Sequence, residues 1–305
     1  MSDGSMRSLG VLCASLLALL VAAVPARAAV ETLTLFQKTA RAPLVVRVRA
    51  LTDATRRPRM EVLEVYKGSY ASGTLVVAPH FEDYASPTPW LHREAFRKGE
   101  ESILFLTPYI DEFGRDEGPE TFALLNADQG KLAIPSEGGN ALTDALRRFT
   151  VILSMKQHDQ QAEALRALLR EKNPSLLEAA LSECAKYRLA EESDIETMLG
   201  LLESRREDFR VGALALLSQI LVDARAAGRG EVPGRSTIFE RVAALARLDT
   251  DEAVRRKSVD VLEAFNDSAA LSILDLIGSG DASQNVRYEA QVSAFRLREK
   301  LKVPR

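Results

Sequence analysis

The chain has almost no cysteine: Cys13 and Cys184 are the two among 305 residues. A fold stapled by disulfides is excluded, and stability must come from packing. Histidine is nearly as scarce, with three residues, and Trp90 is the single tryptophan. Positive charge is not in excess. Lys and Arg number 40 against 43 Asp and Glu, a formal net charge of −3. A nucleic-acid binder needs a basic face to neutralise phosphates, so this balance argues against that class. There is no Gly-rich phosphate loop, no Gly-x-Ser-x-Gly elbow and no His-Glu-x-x-His run. The acids Asp111, Glu112, Asp116, Glu117 and Glu120 lack calcium-loop spacing and read as a solvated hairpin tip. With no catalytic motif and no cofactor motif, the expectation is a protein that is not an enzyme.

Long apolar runs are confined to one place. Leu9 to Val24 carries no charge, follows Arg7, and ends before Ala26-Arg27-Ala28, a small-x-small cleavage pattern. The run is too short and ends too cleanly for a comfortable membrane span. Cys13, preceded by Gly10-Val11-Leu12, makes a poor lipoprotein signal. Residues 1–28 are therefore expected to be a signal peptide, cleaved near Ala28/Ala29, and the protein to be bacterial and periplasmic or secreted. No membrane span is expected in the mature chain. Losing Asp3, Arg7 and Arg27 moves the net charge from −3 to −4, and Cys184 is left without an intrachain partner.

What is present divides in two. Residues 29–135 hold most of the prolines and nearly all the strand-like runs, and 141–305 are rich in Ala, Leu, Arg and Glu at helical spacing. Ser136-Glu137-Gly138-Gly139-Asn140 reads as the linker, because paired glycines resist both helix and strand. In the first region Leu44–Arg49, Met60–Tyr66, Thr74–Ala78, Ser102–Leu106 and Thr121–Asn126 read as strands, with a short return at Lys131–Ala133 after a turn at Asp128-Gln129-Gly130. Ser102-Ile103-Leu104-Phe105-Leu106 is apolar almost throughout and predicts a central strand covered on both sides. Glu31 to Ala40 predicts a short lead-in helix. The expected fold class is α+β: a small N-terminal β-barrel or sandwich followed by a helical solenoid. Val65-Tyr66-Lys67-Gly68, then Gly99-Glu100 before Leu104-Phe105-Leu106, resembles a domain of exported bacterial proteins akin to the OB-type barrels of netrin-like and metalloprotease-inhibitor modules. Those inhibitors reach the protease metal through an N-terminal cysteine. Residues 29–135 have none, so that mechanism does not carry over.

The second region repeats itself. With Leu176, Phe209, Val254 and Val286 as position zero, a small residue follows at plus four (Ala180, Ala213, Ser258, Ala290) and Cys184, Leu217, Leu262 or Ala294 at plus eight. Repeats of this length mean stacked helix pairs whose apolar faces cannot be buried singly. Nine helices are predicted, over 141–157, 160–171, 174–187, 194–203, 207–226, 236–247, 252–265, 268–277 and 285–301. Asp159, Asn173, and Asp267 or Ser268 are predicted helix caps, and Ser193/Glu196 and Thr237/Glu240 capping boxes. Gly228 to Gly234 lengthens one turn of the stack. Asp251-Glu252-Ala253-Val254-Arg255, Asn285-Val286-Arg287-Tyr288-Glu289-Ala290 and Asp208-Phe209-Arg210-Val211-Gly212-Ala213 resemble the HEAT repeat family. The first copy departs from it by lacking Arg. The resemblance implies antiparallel helix pairs and a scaffold or adaptor that binds a protein or peptide; it implies no reaction.

Three groups of residues stand out for chemistry. Arg210, Arg255 and Arg287 recur one residue after position zero; they are either a basic ladder for an acidic partner or, more in keeping with fixed register, internal ties between repeats. The segment from His80 to Glu94 gathers His80, His92, Tyr84 and Trp90. His80 and His92 are the metal-ligand candidates, in spacing that matches no metal motif. Trp90, Tyr84 and His92 are the partner-binding candidates, since aromatic side chains are favoured in interfaces. A ligand- or metal-binding protein, or an enzyme, using this 80–94 loop is the alternative reading. Cys184 sits at an inward position and is expected to pack as a small hydrophobe.

Overall fold

Local signals fix where several elements begin. The structure, a computed structural model, describes residues 33–53, 57–70, 73–78, 96–110, 115–116, 118–125, 130–134, 139–229 and 231–301. Residues 1–28, most of the 136–140 linker and the 80–94 loop lie outside these. Leu33–Arg305 forms one compact unit. Helix α1 (Leu35–Arg41) opens on a capping box: the Thr34 hydroxyl accepts from the Gln37 N–H, and the Gln37 side chain accepts from the Thr34 N–H. Its C-terminal carbonyls, Thr39 O and Ala40 O, each accept from Lys67 Nζ at 2.8 Å.

Among the described residues six strands follow: β1 (Leu44–Ala50), β2 (Arg59–Lys67), β3 (Thr74–Ala78), β4 (Glu101–Pro108), β5 (Thr121–Leu124) and β6 (Lys131–Ala133). The sheet runs β1-β2-β3-β5-β4 and closes by pairing β4 back onto β1, with β6 added on β4. The module is thus a barrel rather than a sandwich. All pairings are antiparallel except β3 with β5. Register shifts between Val45 and Val46 and between Arg47 and Val48 bend β1, which a sheet this small needs in order to close. Alternation then sorts the side chains. Val46, Val48, Met60, Leu75, Leu104 and Leu106 fill the barrel. Val45, Ile103 and Phe105 point outward and pack with Leu33, Ala42 and Leu146. Residues 102–106 are buried throughout, because the barrel covers one face of β4 and the first long helix covers the other.

That helix, α2 (Gly139–Ser154), begins within the predicted linker, so Gly139 and Asn140 are helical. The rest are α3 (His158–Ala167), α4 (Pro174–Tyr187), α5 (Ile195–Leu201), α6 (Glu207–Ala226), α7 (Arg235–Leu248), α8 (Glu252–Phe265), α9 (Ser268–Gly280) and α10 (Gln284–Leu301). Helices α4, α6, α8 and α10, which carry the repeat motif, pack side by side as one row; α5, α7 and α9 form the intervening second row. The inward positions all lie in one continuous core with Cys184, Leu217, Leu262 and Ala294. Asn173 caps α4 through the Ser175 N–H with Pro174 at the first turn, and Asp267 caps α9 through the Ala270 N–H.

Some local expectations are corrected. Helix α3 starts at His158 without a side-chain cap, leaving Asp159 in its first turn. The capping box before α5 is Glu191 with Asp194, two residues ahead of the predicted Ser193 and Glu196, because a short 3-10 turn (Glu192–Asp194) precedes the helix. Helix α7 starts at Arg235 behind a left-handed Gly234, which places Thr237 already inside the helix. Helix α9 runs on to Gly280, three residues beyond its predicted end at 277. Gly278 permits close packing there: an added Cβ would lie 2.9 Å from Gln291 Cγ, and Gln291 Nε2 donates to Gly278 O at 2.6 Å.

Candidate functional site

The repeated arginines are inside the stack. Arg210 donates through Nη1 to Ser204 O at 2.8 Å and through Nη2 to Asp249 Oδ1 at 2.9 Å. Arg255 donates through Nη1 to Asp249 O at 3.0 Å, through Nε to Asp281 Oδ2 at 2.9 Å and through Nη2 to Asp281 Oδ1 at 3.2 Å. Arg287 donates through Nη1 to Asp281 O at 2.6 Å and Ala282 O at 3.1 Å. Asp249 and Asp281 follow α7 and α9, so each is at once the carboxylate for one arginine and the carbonyl for the next. The result is an Arg–Asp ladder that satisfies loop carbonyls and joins neighbouring repeats. Burial pushes the Asp281 carboxyl up. The Arg255 hydrogen bonds, the Ser283 N–H and the charges of Arg255 and Arg287 outweigh it and hold the group below the usual carboxylate range.

His80, Tyr84, Trp90 and His92 lie outside the described residues. Among the described residues, no three His, Cys, Asp or Glu side chains converge as metal ligands. No described helix is long and apolar enough to cross a membrane. Cys184 is fully buried, and burial raises its thiol to about 12, with the Asp194 charge adding to the effect.

Two other buried carboxylates went unnoticed in the sequence, and they contrast sharply. Asp194 is 0 % exposed. It accepts from Arg166 Nε at 3.2 Å, Arg170 Nη2 at 2.9 Å and the Glu191 N–H at 3.1 Å. Its charge is matched, and it ties α3 to the start of α5. Glu183, on α4, is 2 % exposed. Its one side-chain partner among the described residues is neutral: Gln37 Nε2 of α1 donates to Oε1 at 2.9 Å across 146 residues of sequence. No cation lies within ion-pair distance of it among the described residues.

Glu183 lines a groove of about 640 Å³ between α1, the end of α2, the start of α3 and the end of α4. Buried Phe36, Ile152 and Leu165 form its interior, with Phe36 edge-on to Phe149 at 5.2 Å between ring centres. Exposed Arg41, His158, Asp159, Lys186 and Tyr187 stand at its mouth. The signal for Glu183 was available in its spacing. It falls seven residues after Leu176 and three after Ala180, on the stripe that faces the core.

The chain's own geometry defines its class: a helical-repeat protein with a small closed β-barrel at the N-terminal side. No family model matches the chain, and no curated protein matches it. Among solved structures it is similar to the complex of CpcE and CpcF of phycocyanin lyase from Nostoc sp. PCC7120, at 12 % identity and TM-score 0.36, over 50 % of this chain and 98 % of that one. A designed armadillo repeat protein in complex with the peptide (KR)4 matches at 14 % identity and TM-score 0.36, over 53 % of this chain and 76 % of that one. Computationally designed armadillo repeat proteins for modular peptide recognition match at 13 % identity and TM-score 0.37, over 53 % and 78 %. These likenesses are slight.

Proposed function

We propose that the protein is an exported, non-enzymatic scaffold that binds a protein or peptide partner on its helical stack, with repeats of the HEAT type behind an OB-type barrel. The Arg–Asp ladder carries this reading. It places the most regular cations of the chain inside, where they tie each repeat to the next, and so makes the first row a stiff platform. The second row then offers contacts at fixed spacing, including exposed Leu248 at the end of α7 and Leu276 on α9. The strand order β1-β2-β3-β5-β4-β1, with β3 parallel to β5, supports the OB-type assignment. The apolar run and cleavage pattern of residues 1–28 support export.

Crosslinking in cells, followed by identification of the attached protein, tests the reading. Leu248→Asp and Leu276→Asp on the second row should weaken capture more than Tyr288→Asp, an exposed position on the first-row helix α10. Equal losses from both rows would remove the assignment of the face. N-terminal sequencing of the exported chain should begin at Ala29.

A further inference from the structure

We propose that the groove between α1, α3 and α4 is an amine-binding site: it takes a ligand with an apolar body and one primary ammonium group, seated against Glu183. The inference needs neither a protein partner nor the second-row face, so it stands apart from the scaffold reading.

Three observations converge. The first is a buried carboxyl group without a cationic partner among the described residues. A carboxylate removed from water requires a cation or several donors to offset its lost hydration. Asp194, on the same repeat, receives two arginines and a backbone N–H. Glu183, 2 % exposed, receives one neutral amide. An ionised carboxylate has about four acceptor positions, so most of its capacity is unused.

The second observation is that this carboxylate is held in place. The Gln37 amide is engaged at both ends: Oε1 accepts from the Thr34 N–H at 3.2 Å while Nε2 donates to Glu183 at 2.9 Å. Turning the amide would break the cap of α1, so the arrangement is preorganised and a ligand loses little in ordering it.

The third is the groove that Glu183 lines. The groove measures about 640 Å³, within the ~300–1,000 Å³ common for small-molecule sites. Phe36, Ile152 and Leu165 give it an apolar interior suited to a hydrocarbon body.

The charges at the mouth do not reverse this choice. Arg41 and Lys186 are exposed, and Lys186 Nζ lies 5.0 Å from the Tyr187 ring centre. Asp159 adds a negative charge to the same rim. Solvated charges are screened, whereas Glu183 acts within the apolar interior. An anionic ligand would meet that carboxylate unfavourably. A metal ion would lack ligands, since no group of three His, Cys, Asp or Glu is assembled among the described residues.

Isothermal titration of the full chain with hexylamine, hexanol and hexanoate tests the site. Hexylamine should bind saturably with one site per chain, hexanol about tenfold or more weaker, and hexanoate not at all, as expected of one charge-assisted contact. In Glu183→Gln the side-chain carbonyl still accepts from Gln37, and hexylamine should fall to the level of hexanol. Ala162→Phe fills the groove and should abolish both while leaving Glu183 in place. Equal affinity for hexylamine and hexanol in the unaltered chain, or undiminished hexylamine binding in either variant, overturns the proposal. So does concentration-dependent dimerisation that Ala162→Phe abolishes in a chain that binds no amine, because the groove would then be an interface between copies.

Discussion

Replacing Asp281 by Ala should be among the most damaging single changes in the helical half. The carboxylate is 6 % exposed and its partner Arg255 13 %. It accepts two guanidinium hydrogen bonds, at 2.9 and 3.2 Å, and the Ser283 N–H at 2.8 Å where the chain turns into α10. The substitution strips Arg255 of its counter-ion and leaves the guanidinium with backbone carbonyls alone. Breaking a buried pair from one side costs ~3–5 kcal/mol. The remaining exposure places this pair at the low end, about 3 kcal/mol. For a unit of this size that lowers the melting temperature by roughly 6–12 °C. Urea unfolding at neutral pH, followed by far-ultraviolet circular dichroism, measures it. Adding Arg255→Met removes the stranded charge, so the double variant should lose about 2 kcal/mol less than the sum of the singles. A loss below about 1 kcal/mol, or strict additivity, would refute the ladder as a stabilising device. The pH dependence has a definite sign. The folded Asp281 group lies below its unfolded value of about 3.9, so its contribution is complete above that pH and fades as pH falls through the folded value. Asp281→Ala should flatten stability against pH in that acidic window and leave the neutral range parallel.

Gly68→Ala should weaken the barrel. Gly68 has φ of +83°, and an added Cβ would lie 2.6 Å from Pro43 O, so a loss of ~1–3 kcal/mol in thermal unfolding is expected; no loss would mean the β2 end is not built as described. Cys184 should resist thiol reagents in the native state, because it is buried and its thiol lies at about 12, and react only at the rate of unfolding. Fast stoichiometric labelling of the folded chain would contradict its placement. Asp194→Ala should cost ~1–3 kcal/mol, since the Glu191 N–H and two guanidinium contacts lose their acceptor while Arg166 keeps Glu191 and Arg170 stays half exposed, whereas Glu183→Gln should leave stability unchanged or raise it. Comparable losses for the two in the same denaturation assay would erase the distinction between a matched and an unmatched carboxylate.

The comparison of carboxylates shows where sequence reading reaches its limit. Asp249 and Asp281 look like ordinary loop acids after helices. Only the stacking of repeats brings them beneath Arg210 and Arg255, 39 and 26 residues away. Glu183 carries a usable signal, a charge on an apolar stripe, but its partner Gln37 belongs to a helix before the barrel. Nothing local links the two. The paired glycines at 138–139 read as breakers of helix and strand, and the predicted end of α9 at 277 falls just before Gly278. Gly139 is helical and Gly278 is a packing contact, because neighbouring helices override a weak intrinsic preference.

The sequence by itself determined what depends on near neighbours along the chain. Asn173-Pro174 and Asp267 start helices through bonds spanning two or three residues, and Val, Leu and Ala at helical spacing define which side of each coil turns inward. The alternating and continuous apolar runs marked the strands in the same way. Tertiary structure alone decided the closure of β1 onto β4, the parallel meeting of β3 and β5, and the docking of Phe36 against Phe149. It also decided which buried acids meet a cation. Burial and pairing are properties of groups brought together from distant parts of the chain, and periodicity records only which way each one faces.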